Sequence, residues 1–423
     1  MSRAFDEQAV PVVSLPRFNA AVARMRELVL QPHRPTYRER LDALEGVSDA
    51  LLAGKLAQHE AVGPIGVPFL ATFLRRSHLE GLLAREIRVE ALERFAPWGD
   101  RSVLRLGPRG VVCHWMAGNV PLLGMFSLAV SMAVGNVNIV RISRRQEDFL
   151  SPVLAILRAV SDIGRQLADE TLVVEIDRED RDSQSAVSAA ADVRVVWGGQ
   201  EAVEAVVSLP HRWDCDTIVL GPRTSLAVVD PAEMTEGHIR RLATDIVYFD
   251  QLACSSPQVV FAKGQVGQES FDRFFSEFVS SFSSQALTIQ RHTLDEAETY
   301  RIVLDRTRLA LSGAQVRSDQ DTQWTVALVQ RPDARVAGQN RFIQVVPFAD
   351  VEDVYDFIPK NIQTVVIGLN RPDTERFSEG AVIRGVCRLP RPGQGNHFET
   401  PWDGIPLAAR LTRWIVRTDQ PPS

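Results

Sequence analysis

Apolar residues recur along this chain with two different spacings, and the change between them divides the sequence. Over residues 18–30, 37–56 and 68–95, apolar positions return every three or four residues, the spacing of helices that bury one face. From about residue 101, short apolar runs that are typical of buried strands alternate with helical patterns. The sequence therefore predicts a helical N-terminal region followed by an α/β fold.

The first alternating segment extends to about residue 220. Its predicted strands are residues 110–114, 136–141, 172–176, 193–197 and 217–220, and its predicted helices are 121–134, 149–167, 184–191 and 200–209. Such alternation is typical of a mostly parallel, doubly wound sheet, which binds ligands where strands end and helices begin. Two of these junctions consist mainly of small residues, at 116–121 and at Gly198 and Gly199, and neither has a complete dinucleotide or P-loop motif.

A second alternating segment surrounds residue 254 and continues beyond it. Its predicted helices are residues 238–249, 268–281, 294–308 and 351–357, and its predicted strands are 258–261, 325–330, 343–347 and 364–369. The chain then closes with a segment at 380–389, a polar loop at 390–404 and an amphipathic end at 405–416. This pattern predicts a second α/β unit.

Composition and charge are those of a globular protein of more than one domain. The chain has 423 residues, 45% of them hydrophobic, and its net charge of −6 gives no reason to expect nucleic acid or an anionic membrane as partner. The four cysteines are far apart and form no C-x-x-C pair, which argues against a disulfide framework and a metal site. No signal peptide is evident, and the most apolar segment, 120–134, is too short to span a bilayer, so we expect a cytoplasmic protein.

Cys254 is the strongest candidate for chemistry. It lies between Ala253 and Ser255 at the junction of a predicted helix and a predicted strand, where small neighbours leave room for a substrate carbon to reach the sulfur. The alternative is a cysteine that only packs in the core, which is the commoner role. This stretch alone does not decide between the two.

Several motifs in a fixed order resemble those of the aldehyde dehydrogenase superfamily and, within it, of the LuxC-like acyl-CoA (fatty acyl) reductases. They are HWMAGNVP at 114–121, GNVNIVRIS at 135–143, WGG at 197–199, LGPR at 220–223, QLACSSP at 251–257 and WDGIPL at 402–407. The resemblance covers roughly residues 95–416. It implies an aldehyde-dehydrogenase-like α/β fold, with a doubly wound Rossmann-type cofactor domain and a second α/β catalytic domain.

The resemblance also implies a domain organisation. We expect a helical region at 1–100 that packs on the cofactor domain, a dinucleotide-binding domain at 101–247 and a catalytic domain at 248–385. The C-terminal segment, 386–423, is expected to return to the core or to an oligomer interface. Members of the superfamily commonly associate through an exchanged hairpin, so a homo-oligomer is implied.

Two residues acquire catalytic roles through the resemblance. Cys254 matches the nucleophile that forms an acyl-enzyme, and Asn119 matches the side chain that stabilises the oxyanion together with the Cys254 N–H. Val219 stands where aldehyde-oxidising members carry the glutamate that activates water, so hydrolysis of an acyl-cysteine should be slow. His114 is a candidate acid or base, although a histidine at a strand end more often makes a structural hydrogen bond.

The cofactor implied by the resemblance is a nicotinamide dinucleotide, with NADPH favoured over NADH. Arg141 falls where the superfamily usually has a lysine that contacts the adenine ribose, and Ser143 and Arg144 follow it. Arg144 lies close to the position of a glutamate in NAD-preferring relatives, and an arginine pairs well with a 2′-phosphate. Gly198 and Gly199 match the turn that admits the pyrophosphate, but the E-x-F-G-P motif expected near residues 341–345 is missing.

These residues predict an enzyme that reduces an activated acyl group, such as acyl-CoA or a related thioester, to the aldehyde. The sequence leaves the acyl donor open among CoA, an acyl carrier protein, an acyl-adenylate and a partner enzyme. One alternative is a CoA-acylating aldehyde dehydrogenase that acts on a short-chain aldehyde. A second is a dinucleotide-binding scaffold without activity, which would have no need for Cys254 and Asn119.

Overall fold

The computed structural model describes residues 15–57, 63–116, 121–143, 148–336 and 338–418. The chain divides into two compact units: unit 1 comprises residues 1–221 and 398–423, and unit 2 comprises residues 222–397. The helices are, in chain order, α1 (Leu15–Val29), α2 (Tyr37–Leu52), α3 (Gly63–Phe73), α4 (Arg76–Glu86), α5 (Pro121–Ala133), α6 (Leu150–Val160), α7 (Asp162–Asp169), α8 (Arg181–Ala190), α9 (Gln200–Val207), α10 (Glu236–Val247), α11 (Glu269–Thr288), α12 (Glu296–Leu311), α13 (Arg371–Ile383) and α14 (Leu407–Arg410).

The strands form separate sheets in the two units. They are β1 (Ala96–Pro97), β2 (Ser102–Pro108), β3 (Val111–Trp115), β4 (Val137–Ile142), β5 (Thr171–Glu175), β6 (Val193–Trp197), β7 (Asp216–Leu220), β8 (Thr224–Val229), β9 (Pro257–Lys263), β10 (Gln315–Ser318), β11 (Thr325–Leu328), β12 (Phe342–Phe348), β13 (Ile362–Gly368) and β14 (Thr412–Thr418). Short 3₁₀ helices lie at Val89–Leu92, Pro231–Glu233, Tyr248–Gln251 and Val351–Phe357.

The N-terminal helices belong to unit 1, and α2 shows how they are fixed. Thr36 and Glu39 form a capping box, in which the Thr36 hydroxyl accepts from the Glu39 N–H and the Glu39 carboxylate accepts from the Thr36 N–H at 2.7 Å. Leu41 and Leu44 are buried on one face of the helix. The buried Arg40 donates from Nε to the carbonyl of Ala133 at 2.9 Å, which ties α2 to the end of α5.

A five-stranded parallel sheet forms the centre of unit 1, with the strand order β5-β4-β3-β6-β7. Strands β3 and β6 are buried along their whole length, as expected for parallel strands that helices cover on both faces. The order is that of a Rossmann-type fold, and its direction reverses between β3 and β6. The prediction of a doubly wound sheet in an α/β fold is therefore confirmed.

Unit 2 contains a six-stranded sheet in the order β10-β11-β12-β9-β8-β13. Strand β10 pairs antiparallel with β11 at one edge, and the other pairs are parallel. Helix α11 covers this sheet with a stripe of buried aromatic residues spaced three or four positions apart, Phe271, Phe274, Phe278 and Phe282. This spacing places all four on one helical face, which makes them the centre of a hydrophobic core.

A small antiparallel sheet returns the end of the chain to unit 1. Strand β2 pairs with β1 on one side and with β14 on the other, so the last described residues lie beside a strand from the first quarter of the chain. The segment is held by further hydrogen bonds: Asn136 Nδ2 donates to the carbonyl of Leu411 at 3.0 Å, and Arg410 forms an ion pair with Asp216. After Thr412, β14 is exposed along its length.

The boundaries of the two units differ from the predicted domains. Residues 222–247 were expected in the cofactor domain, but β8 pairs with β9 and β13 and therefore lies in the sheet of unit 2. Within unit 1, α2 of the N-terminal helices contacts α5, α6 and α7. Four strands, β1, β2, β8 and β10, and the helix α13 were not predicted.

Three predicted segments differ in detail from the elements of the structure. The helix expected at 149–167 is interrupted at Ser161, whose hydroxyl accepts from the Gly164 N–H at 2.9 Å and begins α7. A Cβ at Gly164 would lie 2.2 Å from the carbonyl oxygen of Leu157, so this tight junction requires glycine. Residues 351–357 form a 3₁₀ helix, and the amphipathic end at 405–416 is the short α14 followed by β14. In the described ranges, no helix is long and apolar enough to cross a membrane.

Candidate active site

The segment that leads to Cys254 has an unusual backbone. Three consecutive residues of the 3₁₀ helix after α10 have positive φ angles, 53° at Phe249, 52° at Asp250 and 63° at Gln251. The left-handed conformation costs a non-glycine residue roughly 1–2 kcal/mol, so the surrounding structure must hold this segment in place. The left-handed turn ends three residues before Cys254, and it sets the direction in which the chain reaches that residue.

Asp250 holds the left-handed turn through a buried charge cluster. Its Oδ1 accepts from Arg341 Nε at 2.8 Å, and its Oδ2 accepts from the backbone N–H of His292 at 3.1 Å and pairs with the His292 ring at 2.6 Å. Burial raises the pKa of Asp250, but the hydrogen bonds from His292 and the charge of Arg341 outweigh it, and the net pKa is below the ordinary value. The Asn340 N–H donates to the Asp250 carbonyl at 2.9 Å, which fixes the main chain as well.

Cys254 lies at the edge of the unit 2 sheet where β8, β9 and β13 begin. The residue is half-buried, and its sulfur accepts a hydrogen bond from Gln363 Nε2 at 3.4 Å. Its carbonyl oxygen accepts from the Ser225 hydroxyl at 2.5 Å. Gln363 is the second residue of β13 and Ser225 the second of β8, so the sheet itself positions both donors.

Asn396 fixes the residues that follow the cysteine. Its Oδ1 accepts from the Ser255 hydroxyl at 2.7 Å and from the Ser256 hydroxyl at 3.5 Å. Its Nδ2 donates to the carbonyl of Asp245 at 2.7 Å, which joins this segment to α10. All of these residues are buried, so the backbone on the C-terminal side of Cys254 is rigidly held.

Asp245 is a buried carboxyl group close to this cluster. It accepts from the Gly393 N–H at 2.6 Å, and burial raises its pKa from the ordinary 3.8 to about 7. The folded protein therefore retains the Asp245 proton between pH 4 and pH 7, while the unfolded chain has released it. Because the folded state binds more protons in this range, the contribution of Asp245 to stability falls as the pH rises from 4 to 7.

We expect Asp245→Asn to reduce this pH dependence. The fall in unfolding free energy between pH 4 and pH 7 should be smaller in the variant than in the wild type, by about 3 kcal/mol. Urea denaturation followed by tryptophan fluorescence across this range measures the difference. Glu375→Gln, at an exposed carboxylate of the same unit, is the matched control and should leave the pH dependence unchanged. Parallel curves for wild type and Asp245→Asn would contradict the assignment.

The four described residues predicted to bind a cofactor, Arg141, Ser143, Gly198 and Gly199, lie at the carboxyl edge of the unit 1 sheet. Gly198 and Gly199 directly follow β6, and Gly199 precedes the first residue of α9 with no side-chain cap. A Cβ on Gly199 would meet nothing within 4 Å, so there is open space beside this residue at the start of α9, while the Gly198 N–H donates to the carbonyl of Leu220 at 3.3 Å. Trp115 at the end of β3 is adjacent to the end of β6, and this is the point where the strand order reverses and such sheets bind ligands.

Arg141 and Ser143 lie at the end of the neighbouring strand β4. Arg141 donates from Nη2 to the carbonyl of Ile176 at 2.7 Å, and its Nε is buried without a partner among the described residues. Burial lowers the pKa of Arg141, and the charges of Asp177 and Glu179 oppose that shift. Open space at Gly199 beside the N-terminus of α9, and a guanidinium at the end of β4, fit an anionic dinucleotide at this sheet edge. Asn119 and Arg144, the other two residues predicted for the site, lie outside the described residues.

His114 is completely buried within β3. Its Nδ1 is 3.2 Å from the Ser127 hydroxyl, and its Nε2 is 3.1 Å from Oδ1 of Asn138. Burial lowers the pKa of His114 to about 4, so the ring is neutral at pH 7. The Ser127 hydroxyl also accepts from Trp197 Nε1 at 3.0 Å, which links β3, α5 and β6. This geometry favours the structural hydrogen bonds, and an acid or base role of His114 stays a prediction.

Three features of the site were not predicted from the sequence: Gln363, Asn396 and the pair of Asp250 with Arg341. Gln363 had one visible signal, since it and Thr364 are polar residues in a buried strand that is otherwise apolar. The others gave none, because Asn396 lies in a polar loop and Arg341 contacts Asp250 across 91 residues of sequence. Their positions follow from the tertiary fold alone.

Comparison with solved structures defines the fold. Aldehyde dehydrogenase 21 from Physcomitrella patens, in complex with the reaction product succinate, superposes with a TM-score of 0.70 at 13% identity, over 96% of this chain and 91% of that one. A NAD-dependent benzaldehyde dehydrogenase from Corynebacterium glutamicum gives 0.67 at 14%, over 96% and 91%. The chain therefore has an aldehyde-dehydrogenase-like fold.

The family follows from the sequence comparison. The model of the acyl-CoA reductase (LuxC) family matches residues 35–414, and the chain belongs to this family. A long-chain acyl-protein thioester reductase of Aliivibrio fischeri is 24% identical over 318 residues, which cover 73% of this chain and 64% of that protein. The protein of the same name from Photobacterium phosphoreum is 26% identical over 333 residues, covering 77% and 66%. The match thus spans about two thirds of the length of these relatives. The resemblance to the LuxC-like acyl-CoA reductases that the motifs indicated is therefore confirmed.

Proposed function

We propose that this protein reduces an acyl thioester to the corresponding aldehyde through an acyl-cysteine intermediate on Cys254. The observation that carries the proposal is the position of the sulfur: half-buried, hydrogen-bonded by Gln363, and set between two rigidly held segments. Such a setting suits a nucleophile that must retain a covalent intermediate. Membership of the acyl-CoA reductase family supports the same reaction, and the related acyl-protein thioester reductases favour a long acyl chain.

The first half of the reaction forms the acyl-enzyme. The Cys254 thiolate attacks the carbonyl carbon of the thioester, the new C–S bond forms, the bond from that carbon to the donor sulfur breaks, and the donor leaves as a thiolate with the electron pair. We assign the stabilisation of the oxyanion to Asn119 and to the Cys254 N–H, as the resemblance implies. Val219, at the position of the glutamate that activates water in oxidising relatives, leaves the acyl-cysteine without that general base.

The second half requires a reductant. The fold implies a nicotinamide dinucleotide, which supplies a hydride when it is bound. Gly198 and Gly199 would hold its pyrophosphate at the N-terminus of α9, and Arg141 and Ser143 would approach the adenine ribose. We propose NADPH as the preferred form, because Arg144 is an arginine where NAD-preferring relatives tend to have a glutamate.

The partners and setting proposed here follow from the same resemblance. The acyl donor is acyl-CoA or an acylated protein, and the names of the curated relatives favour the protein. A homo-oligomer and a cytoplasmic location also remain proposals. The antiparallel sheet of β1, β2 and β14 is consistent with association between copies, since its edge strand exposes the apolar side chains of Trp414, Ile415 and Val416.

The mass of the intact protein tests the reaction. Exposure to acyl-CoA without a dinucleotide should add one acyl group, and NADPH should then remove it with release of aldehyde. NADH should remove the adduct more slowly than NADPH if the proposed cofactor preference is correct. Donors of short and long chain should both be tried, with an acylated carrier protein as a further donor. No adduct with any of these donors would refute the covalent mechanism.

A further inference from the structure

Gln363 occupies a special position in the sheet of unit 2. The pairing of β13 with β8 is regular except at one point, where Ile362 pairs with Thr224 and Thr364 with Ser225, so Gln363 is the additional residue of a β-bulge. Its backbone carbonyl accepts from the N–H groups of Cys387 and Arg388 at 2.9 and 3.0 Å. A bulge redirects a side chain at the cost of regular pairing, and here it directs an amide to the edge where Cys254 lies.

The side-chain amide of Gln363 is completely buried and its orientation is determined by its neighbours. The Thr364 hydroxyl donates to Oε1 at 3.3 Å, which leaves Nε2 as the donor to the Cys254 sulfur at 3.4 Å. On the other strand, the Ser225 hydroxyl donates to the carbonyl of the same cysteine. The two strands at the bulge therefore supply separate donors to Cys254.

Ionisable residues on the neighbouring segments have other hydrogen-bond partners. Asp245 of α10 accepts from Gly393, and Asp250 pairs with Arg341 and His292. The Arg388 guanidinium donates to carbonyls of residues 394–397. Lys263 is the one residue of β8, β9 and β13 with an ionisable side chain. It lies at the far end of β9 and pairs with Asp373. Gln363 thus offers the sulfur a neutral N–H donor whose capacity to donate does not change with pH.

We propose that Gln363 is a catalytic residue, which donates a hydrogen bond to the Cys254 sulfur whenever that sulfur carries negative charge. Before the attack it stabilises the thiolate relative to the thiol. After hydride has reached the acyl carbon, the thiohemiacetal oxyanion re-forms the carbonyl, the bond from that carbon to the Cys254 sulfur breaks, and the sulfur leaves with the electron pair. The same hydrogen bond stabilises this leaving thiolate. The first role stands on the geometry alone, and the second rests on the proposed function.

Alkylation of the cysteine tests the first role without substrate or cofactor. Gln363→Met keeps the length of the side chain and removes the donor, so the Cys254 thiol should titrate about one pH unit higher and react with iodoacetamide about tenfold more slowly at pH 7. Peptide mass spectrometry measures the rate at Cys254 as a function of pH. Gln344→Met, at another buried glutamine of unit 2 whose side chain bonds to residue 333, is the matched control and should behave as the wild type.

A second variant keeps the test decisive if the methionine variant does not fold. Gln363→Glu retains the shape, and at a pH where the introduced carboxyl group is ionised it accepts only and repels a thiolate, so the thiol should again titrate at higher pH than in the wild type. Folded variants that titrate and react as the wild type does would overturn the proposal. If alkylation of Cys254 is slower in the Gln363 variants but the wild type forms no acyl adduct with any donor, the proposed function is refuted. The hydrogen bond to the sulfur is then still established. If the hydrogen bond and the proposed function are both confirmed, turnover of the Gln363 variants should fall while KM for the thioester changes little.

Discussion

Cys254→Ala is expected to lower the rate of aldehyde formation by at least about 10³-fold, because it removes the atom that carries the acyl group. Without the sulfur, hydride would have to reduce the thioester directly on the protein, and no covalent intermediate could form. Steady-state turnover with acyl-CoA and NADPH measures the loss, and the intact mass should show no acyl adduct. Cys254→Ser, which keeps the shape, should show the same loss because a serine hydroxyl is a much weaker nucleophile without an adjacent base.

Cys387 provides the control for this result. It is also half-buried in unit 2, and its N–H bonds to the carbonyl of Gln363, yet the mechanism gives its thiol no role. Cys387→Ala should retain turnover within about threefold of the wild type and should still form one acyl adduct. An adduct that persists in Cys254→Ala and disappears in Cys387→Ala would identify Cys387 as the nucleophile. That result would contradict the proposed function.

Asp250→Asn is expected to reduce the unfolding free energy by about 3 kcal/mol, the largest loss of stability that we expect from one substitution in this site. Arg341 is completely buried, so loss of the Asp250 charge leaves its guanidinium without its ionic partner. Asparagine tolerates the left-handed conformation that residue 250 adopts at φ 52°, so the substitution changes the charge and leaves the backbone preference unchanged. Urea denaturation at pH 7 measures the difference.

An exposed carboxylate serves as the comparison. Glu375 forms an ion pair with Arg371 at 2.9 Å on the surface of α13, and both side chains are largely exposed. Glu375→Gln should therefore change stability by no more than about 0.5 kcal/mol. Equal losses in the two variants would show that the buried pair contributes no more than a surface pair. A loss confined to Asp250→Asn, together with slower alkylation of Cys254, would show that the left-handed turn also positions the nucleophile.

The sequence was sufficient for most of the fold because local patterns repeat along it. Strand β6 is apolar except for Arg194 and ends at a glycine turn, and parallel strands covered on both faces have such nearly continuous apolar runs. Strand β8 escaped prediction because a short apolar run can equally belong to a buried helix. Helix α13 escaped because it buries only Asp373, Phe377 and Ala381, too few to give a clear periodicity.

In the candidate site, residues marked by local sequence could be predicted, and residues placed by long-range contacts could not. Cys254 could be predicted because its small neighbours and the order of the motifs are visible in the sequence. Gln363 could not be assigned a role, since it reaches the sulfur across 109 residues and only because β13 is bulged at that point. The boundary at 221 was missed for a related reason, because β8 joins a sheet whose other strands all come later in the sequence.

The return of the C-terminal segment to unit 1 has a consequence for biosynthesis. Unit 2 is continuous in sequence, whereas unit 1 lacks β14 until the last residues of the printed chain have been made. A ribosome adds these residues only after all of unit 2 has been synthesised, so β14 is among the last elements available for folding. Until then β2 presents one unpaired edge, and an unpaired strand edge is a surface that can pair with another chain.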